Sequence, residues 1–148
     1  MKYRLPPPKY LNLVLGLQVV LHFVVPIRRV VLWPYSCLGI VFIALGTVVN
    51  IWAVQSLNER NTTLEFHGTA TALVTDGPYR ISRNPLYLGA ILVSLGLAVL
   101  LGSLTAFLFP LALLWILNGF YVPREERALK TRFGTPYLDY RCRVRRWL

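Results

Sequence analysis

Apolar positions fall in four long runs, Leu11–Ile27, Val30–Val54, Leu86–Leu101 and Leu104–Tyr121, and polar positions gather between and after them. Runs of this length with almost no charge predict membrane-crossing helices rather than strands. The pattern therefore predicts an all-α integral membrane protein with four transmembrane helices, a polar loop over Gln55–Pro85 and a helical C-terminal tail, in a single domain over residues 1–148. Within the tail, Arg124–Phe133 reads as a helix closed by Gly134, and Pro136–Cys142 as the start of another.

The third run has the sharpest boundary. Asp76-Gly77-Pro78 is a turn signal, and Arg83-Asn84-Pro85 then opens a helix. Pro85 suits the first helical position, and Asn84 is a capping residue type. Such a start carries unpaired N–H donors and partial positive charge, which favours an anionic ligand group. Along the same run Ala90, Ser94, Ala98 and Gly102 recur every four residues, a small-residue stripe that lets helices approach closely and here is expected to pack the third run on the fourth. Gln18 and His22 share one face of the first run, which predicts polar contacts to a neighbouring helix, and Asn50 in the second is expected to bond across helices. Trp33, Tyr35 and Trp52 stand near the ends of the second run, as an interfacial aromatic belt would place them.

Composition agrees: 55% of the 148 residues are hydrophobic, and the net charge is +10. The basic residues flank apolar runs, so they point to a membrane surface and not to nucleic acid. With four spans, both ends of the chain and the Gln55–Pro85 loop share one side, and fourteen of the sixteen basic residues lie there; only Arg28 and Arg29 lie opposite. The positive-inside rule makes the crowded side cytosolic. Arg141, Arg143, Arg145, Arg146 and Trp147 suit an anionic inner leaflet. The basic start and first apolar run resemble a signal peptide in outline, but Pro26-Ile27-Arg28-Arg29 offers no small-residue cleavage site, so a retained helix is expected. Cys37 and Cys142 form no disulfide framework, and no metal-ligand spacing is present. The Asn61-Thr62-Thr63 sequon is expected to be cytosolic and unused, and His67-Gly68 to be solvated loop.

GPYRISRNPLYLG, followed after a short helical hairpin by REERALKTRFGTPYLDY, resembles the isoprenylcysteine carboxyl methyltransferase family and its phospholipid N-methyltransferase relatives. The resemblance covers residues 71–140 as a two-part motif. It implies an integral membrane methyltransferase that binds S-adenosyl-L-methionine at the cytosolic face and methylates a lipophilic acceptor. Carried over position by position, the cofactor contacts fall on Thr71, Ala72, Leu73, Val74 and Tyr79, on Asn84, Pro85, Leu86 and Tyr87, and on Glu125. Tyrosine offers a flat face and a hydroxyl, and a carboxylate can pair with a cation or a ribose hydroxyl. Arg83, Tyr121 and Glu126 are the candidate catalytic residues, with Glu126 or Tyr121 placed to accept a proton from the acceptor.

Two positions depart from the family pattern. Asn84 stands where the family often has histidine, and Tyr121 stands where the prenylcysteine enzymes have the arginine that reads the substrate carboxylate. The second departure predicts an acceptor other than a prenylcysteine carboxylate. The alternatives are a small non-enzymatic helical membrane protein and a relative of the nicotinamide-dependent membrane reductases. The latter carry many more helices than this length allows.

Overall fold

The computed structural model describes residues 7–25, 27–62 and 70–148. His67-Gly68, Thr63 of the sequon, Lys2 and Arg4 lie outside the described residues. Among the described residues all extended regular elements are helical: α1 (Pro7–Val24), α2 (Leu38–Glu59), α3 (Pro85–Leu101), α4 (Leu104–Ile116), α5 (Val122–Phe133) and α6 (Thr135–Arg143). Two stretches are long and apolar enough to cross a membrane, Tyr35–Glu59 and Leu104–Phe133, and α1 and α3 supply shorter apolar helices.

Several boundaries differ from the expected runs for local reasons. The first helix starts at Pro7, where proline suits a first turn, and ends at Val24, before Pro26. The second starts at Leu38 and not at Val30, because Pro34 cannot sit inside a helix and restricts Trp33 before it. It runs on to Glu59, since nothing in Gln55–Glu59 breaks it and the Ser56 hydroxyl bonds back to the Trp52 carbonyl at 3.1 Å. The fourth run does not stop at Tyr121. α4 passes through a π turn, Leu117–Tyr121, straight into α5, and the Val122 N–H reaches back five residues to the Leu117 carbonyl. Pro123 follows at once. Proline would clash with the carbonyl four residues earlier in a regular helix, and a wide turn relieves that clash.

The chain forms two compact units: one from residues up to Thr47 with Ala90–Leu114, the other from Val48–Gly89 with Trp115–Leu148. In the first unit, α2 and α3 meet backbone to backbone at Gly39 and Gly96. A Cβ on Gly96 would lie 2.6 Å from the Gly39 carbonyl oxygen and 2.7 Å from the Ile43 nitrogen, so neither glycine tolerates a side chain. The small-residue stripe is buried, with Ser94 and Ala98 inaccessible to solvent. Its partners are not on α4 alone, however. Ser94 donates to Gln18 Oε1 of α1 at 3.1 Å, and Gln18 Nε2 donates to the Ser94 and Ala106 carbonyls at 2.9 and 3.2 Å. One turn along, His22 Nδ1 lies 2.8 Å from the Ser103 hydroxyl. In apolar surroundings each such bond contributes on average about 0.6 kcal/mol. Gly102 lies against the Val31 carbonyl. On the stretch of α2 that belongs to the second unit, Asn50 differs from expectation, because its Oδ1 is buried with no hydrogen-bond partner. Both cysteines are free.

In the second unit the short 3-10 turn Gly77–Arg80 leads to α3. Gly77 has φ +57°, and a Cβ there would lie 3.2 Å from the Trp52 indole nitrogen, so the turn requires glycine twice over. Asp76, just before it, pairs with Arg60 at the end of α2.

Candidate functional site

The second unit gathers the predicted polar residues around the start of α3. Asn84 and Pro85 are buried there. α5 presents its two adjacent acids to different partners, as the 100° step between helical neighbours requires. Glu125 shares a hydrogen bond with the Tyr87 hydroxyl, and its charge is felt by Tyr79; Tyr121 lies close enough to Tyr87 to act on it electrostatically. Glu125 keeps an exposed surface on α5. Burial, and then the Glu125 carboxylate, push the Tyr79 phenol above its ordinary range, so it stays protonated.

Glu126 faces two guanidinium groups. Oε1 pairs with Arg83 Nη1 at 3.0 Å and accepts from Arg146 Nε at 3.1 Å, while Oε2 accepts from Arg146 Nη2 at 2.8 Å. The Arg83 and Glu126 side chains are only 10% and 13% exposed. Arg83 also donates to the Tyr137 hydroxyl at 3.3 Å, but its Nε is buried with no partner. Asn118 Oδ1 accepts from Arg146 Nη1 at 3.1 Å and from the Trp147 indole at 3.3 Å. The π turn makes this possible. A regular helix would rotate the eight residues from Asn118 to Glu126 about 80° past two turns, and one extra residue in a turn brings them back to one face.

α6 adds two tyrosines to the cluster. Tyr137 and Tyr140, three residues apart on one helical face, are both buried. The Tyr140 hydroxyl donates to the Tyr79 carbonyl at 2.7 Å. Burial raises both phenols above their usual range, the Arg83 charge partly opposing it.

The structure thus brings together Tyr79, Arg83, Asn84, Pro85, Tyr87, Tyr121, Glu125 and Glu126. The segment before the turn is positioned otherwise. Thr71 is exposed and tied to the end of α2, its N–H to Thr62 Oγ1 at 3.1 Å and its hydroxyl to the Asn61 carbonyl at 3.0 Å. Ala72 and Leu73 are half-buried and Val74 is buried. Leu86, next to Pro85, is half-buried. Arg146 and Trp147 correct the sequence reading, for they turn into this cluster and are not simply basic and aromatic surface. Ser82, Asn118, Tyr137 and Tyr140 were not singled out from the sequence, and Arg146 was read only as a membrane-surface charge. The available signals were the i, i+3 tyrosine pair and a second acid, Glu126, that needed a cation.

The fold and cluster define an all-helical membrane protein with a polar site assembled from the start of one apolar helix and the acidic continuation of another. The phospholipid methyltransferase family matches residues 35–136, and the chain belongs to that family. It is similar to protein-S-isoprenylcysteine O-methyltransferase B of Arabidopsis thaliana, 31% identical over 118 residues covering 76% of this chain and 58% of the relative. Isoform A of the same plant is 31% identical over 114 residues, 73% of this chain and 56% of the relative. The Schizosaccharomyces pombe protein-S-isoprenylcysteine O-methyltransferase is 38% identical over 72 residues, 49% of this chain and 30% of the relative. The chain therefore spans little more than half the length of the plant relatives it matches. No solved structure matches it.

Proposed function

We propose that this protein transfers a methyl group from S-adenosyl-L-methionine to a lipophilic acceptor. The observation that carries the reading is the meeting of Tyr79, Tyr87 and Glu125, from both halves of the sequence motif, beside the start of α3. The residues fit the cofactor. Arg83 Nε is a buried donor without an acceptor, and the adjoining helix start favours a carboxylate. Glu125 is an accessible carboxylate suited to a cation or a hydroxyl, and the phenols add polarizable faces. The cofactor, when bound, supplies an activated methyl group on a good leaving group. The protein's share is then mostly orientation. Tyr79, Asn84–Tyr87 and Glu125 hold and orient, and the buried tyrosines limit water. Glu126 is occupied by two guanidinium groups, and a phenol such as Tyr121 accepts a proton only as its phenolate.

The relatives' names make a prenylated cysteine the first acceptor to assay, while Tyr121 offers no cation to a carboxylate. On this reading α1–α4 supply four spans, with the site, residues 55–85 and both ends of the chain on the cytosolic side. The distribution of fourteen of sixteen basic residues supports that orientation. The deciding experiment is thermal unfolding in detergent with S-adenosylmethionine or S-adenosylhomocysteine. Ligand at a hundred times its dissociation constant adds about 2.7 kcal/mol. A shift with NADPH and none with either sulfur ligand would make the protein a reductase relative.

A further inference from the structure

The segment after α6 crosses the Ser82–Asn84 stretch and is tied to it three times. The Arg83 N–H donates to the Arg145 carbonyl at 3.0 Å, the Ser82 hydroxyl to the Arg146 carbonyl at 3.2 Å, and Asn84 Nδ2 to that same carbonyl at 2.9 Å. The Arg146 side chain runs the other way, to Glu126 and Asn118. One residue thus joins the start of α3, through its backbone, to the π turn and α5, through its guanidinium.

We propose that Arg146 is a positioning residue of the cofactor site, fixing the orientation of the Asn84 amide while its fork to Glu126 and Asn118 holds the strap in place. The proposal rests on the cofactor reading above. An amide is planar, with nitrogen and oxygen at opposite corners. Seating Nδ2 on the Arg146 carbonyl settles which way Oδ1 points. Asn84 is only 7% exposed, so an undocked strap leaves its N–H₂ buried without that acceptor, and the amide must turn. The guanidinium is the anchor because three of its nitrogens are engaged, Nε and Nη2 with the two carboxylate oxygens and Nη1 with Asn118. A two-point fork fixes direction as well as distance, which lysine cannot reproduce.

The test is titration of S-adenosylhomocysteine into the unmodified chain, Arg146→Gln, Arg146→Lys, Asn84→Ala and the Arg146→Gln/Asn84→Ala pair, with the unfolding temperature of each taken alongside. Arg146→Gln should weaken binding about tenfold and Arg146→Lys about threefold, the lysine keeping charge without the fork. In the Asn84→Ala background the further loss from Arg146→Gln should shrink to about twofold or less, because the residue it acts through is gone. A purely structural strap lowers the unfolding temperature and leaves the dissociation constant alone, and that result overturns the proposal. Losses that multiply in the pair overturn it too. If Arg146→Gln does not fold, Arg146→Lys carries the test, and unchanged binding by it is equally decisive. Failure of the unmodified chain to bind is a separate result that removes the cofactor reading and this proposal together.

Discussion

Glu125 and Glu126 are neighbours in sequence, and the structure assigns them different costs of removal. Glu126→Gln takes the one formal negative charge from between Arg83 and Arg146, in a place where the acid is 13% and Arg83 10% exposed. Breaking a buried ion pair by removing one partner costs about 3–5 kcal/mol. Arg146 is 34% exposed, so solvent screens its share, and glutamine keeps one acceptor oxygen; the expected loss falls to about 2–3 kcal/mol. For a chain of this length that lowers the unfolding temperature by roughly 5–10 °C. The cofactor is reached only indirectly, so affinity should change by no more than a few-fold. Glu125→Gln should do the opposite. It gives up a bond to Tyr87 but also removes a charge from a crowded site, effects of opposite sign on stability. A direct charge-assisted contact is worth about 1.5–3 kcal/mol, so S-adenosylhomocysteine binding should weaken roughly ten- to a hundredfold. Both variants are to be measured in one detergent, by unliganded unfolding and by titration. If Glu126→Gln unfolds with the unmodified protein, or loses more affinity than Glu125→Gln, the division between the two acids is wrong.

Four other outcomes are expected. Gly96→Ala should destabilise by about 1–3 kcal/mol, because its Cβ meets backbone atoms of α2; unchanged unfolding would mean the helices do not touch there. Tyr79, Tyr137 and Tyr140 have phenols raised by burial, so they stabilise the fold fully below their ordinary value near 10 and lose that contribution as pH rises beyond it. Absorbance titration should show tyrosines that ionise only on alkaline unfolding, and a single midpoint near 10 in the folded protein would refute this. A farnesylcysteine analogue should be a poor acceptor for the unmodified protein and improve about tenfold or more with Tyr121→Arg, which restores a carboxylate fork; efficient use by the unmodified enzyme refutes the role given to Tyr121. In sealed right-side-out vesicles an impermeant thiol reagent should miss the exposed Cys142 until the membrane is opened, and immediate labelling would reverse the orientation.

What the sequence showed, and what it hid, divides by the range of the interaction. The start of α3 was legible because Asn84-Pro85 is a local signal, and Gly134 with φ +57° ends α5 for an equally local reason. The small-residue stripe was legible as a contact surface, but a period of four residues names no partner. Gln18, 76 residues from Ser94, was visible only as a polar residue on an apolar face. Gly39 was lost inside an apolar run, where a glycine gives no sign that another helix backbone lies against it. Arg146 was hidden for a different reason: in a run of arginines every member looks solvated, and only the fold shows which one meets an acid.

The charges around the start of α3 also argue for a division of labour. Arg83, Arg146 and Glu126 leave one formal positive charge in excess, beside a helix end that is itself partly positive. Such a surplus next to a buried, unpaired Arg83 Nε is unfavourable unless an anionic group completes it. Glu125 cannot serve, since it is turned toward Tyr87 and Tyr79. On the proposed function, the two acids would present the cofactor with two separate environments on one helix, one with an excess of cation and one with an excess of carboxylate. A molecule bearing an acid at one end and a cation or hydroxyls elsewhere satisfies both at once. On that reading the Glu125–Glu126 step on α5 sets the spacing between those environments, and Arg146 ties Glu126 to Asn118 in the π turn. Mutations in the turn or the strap should then reach the ligand without touching it.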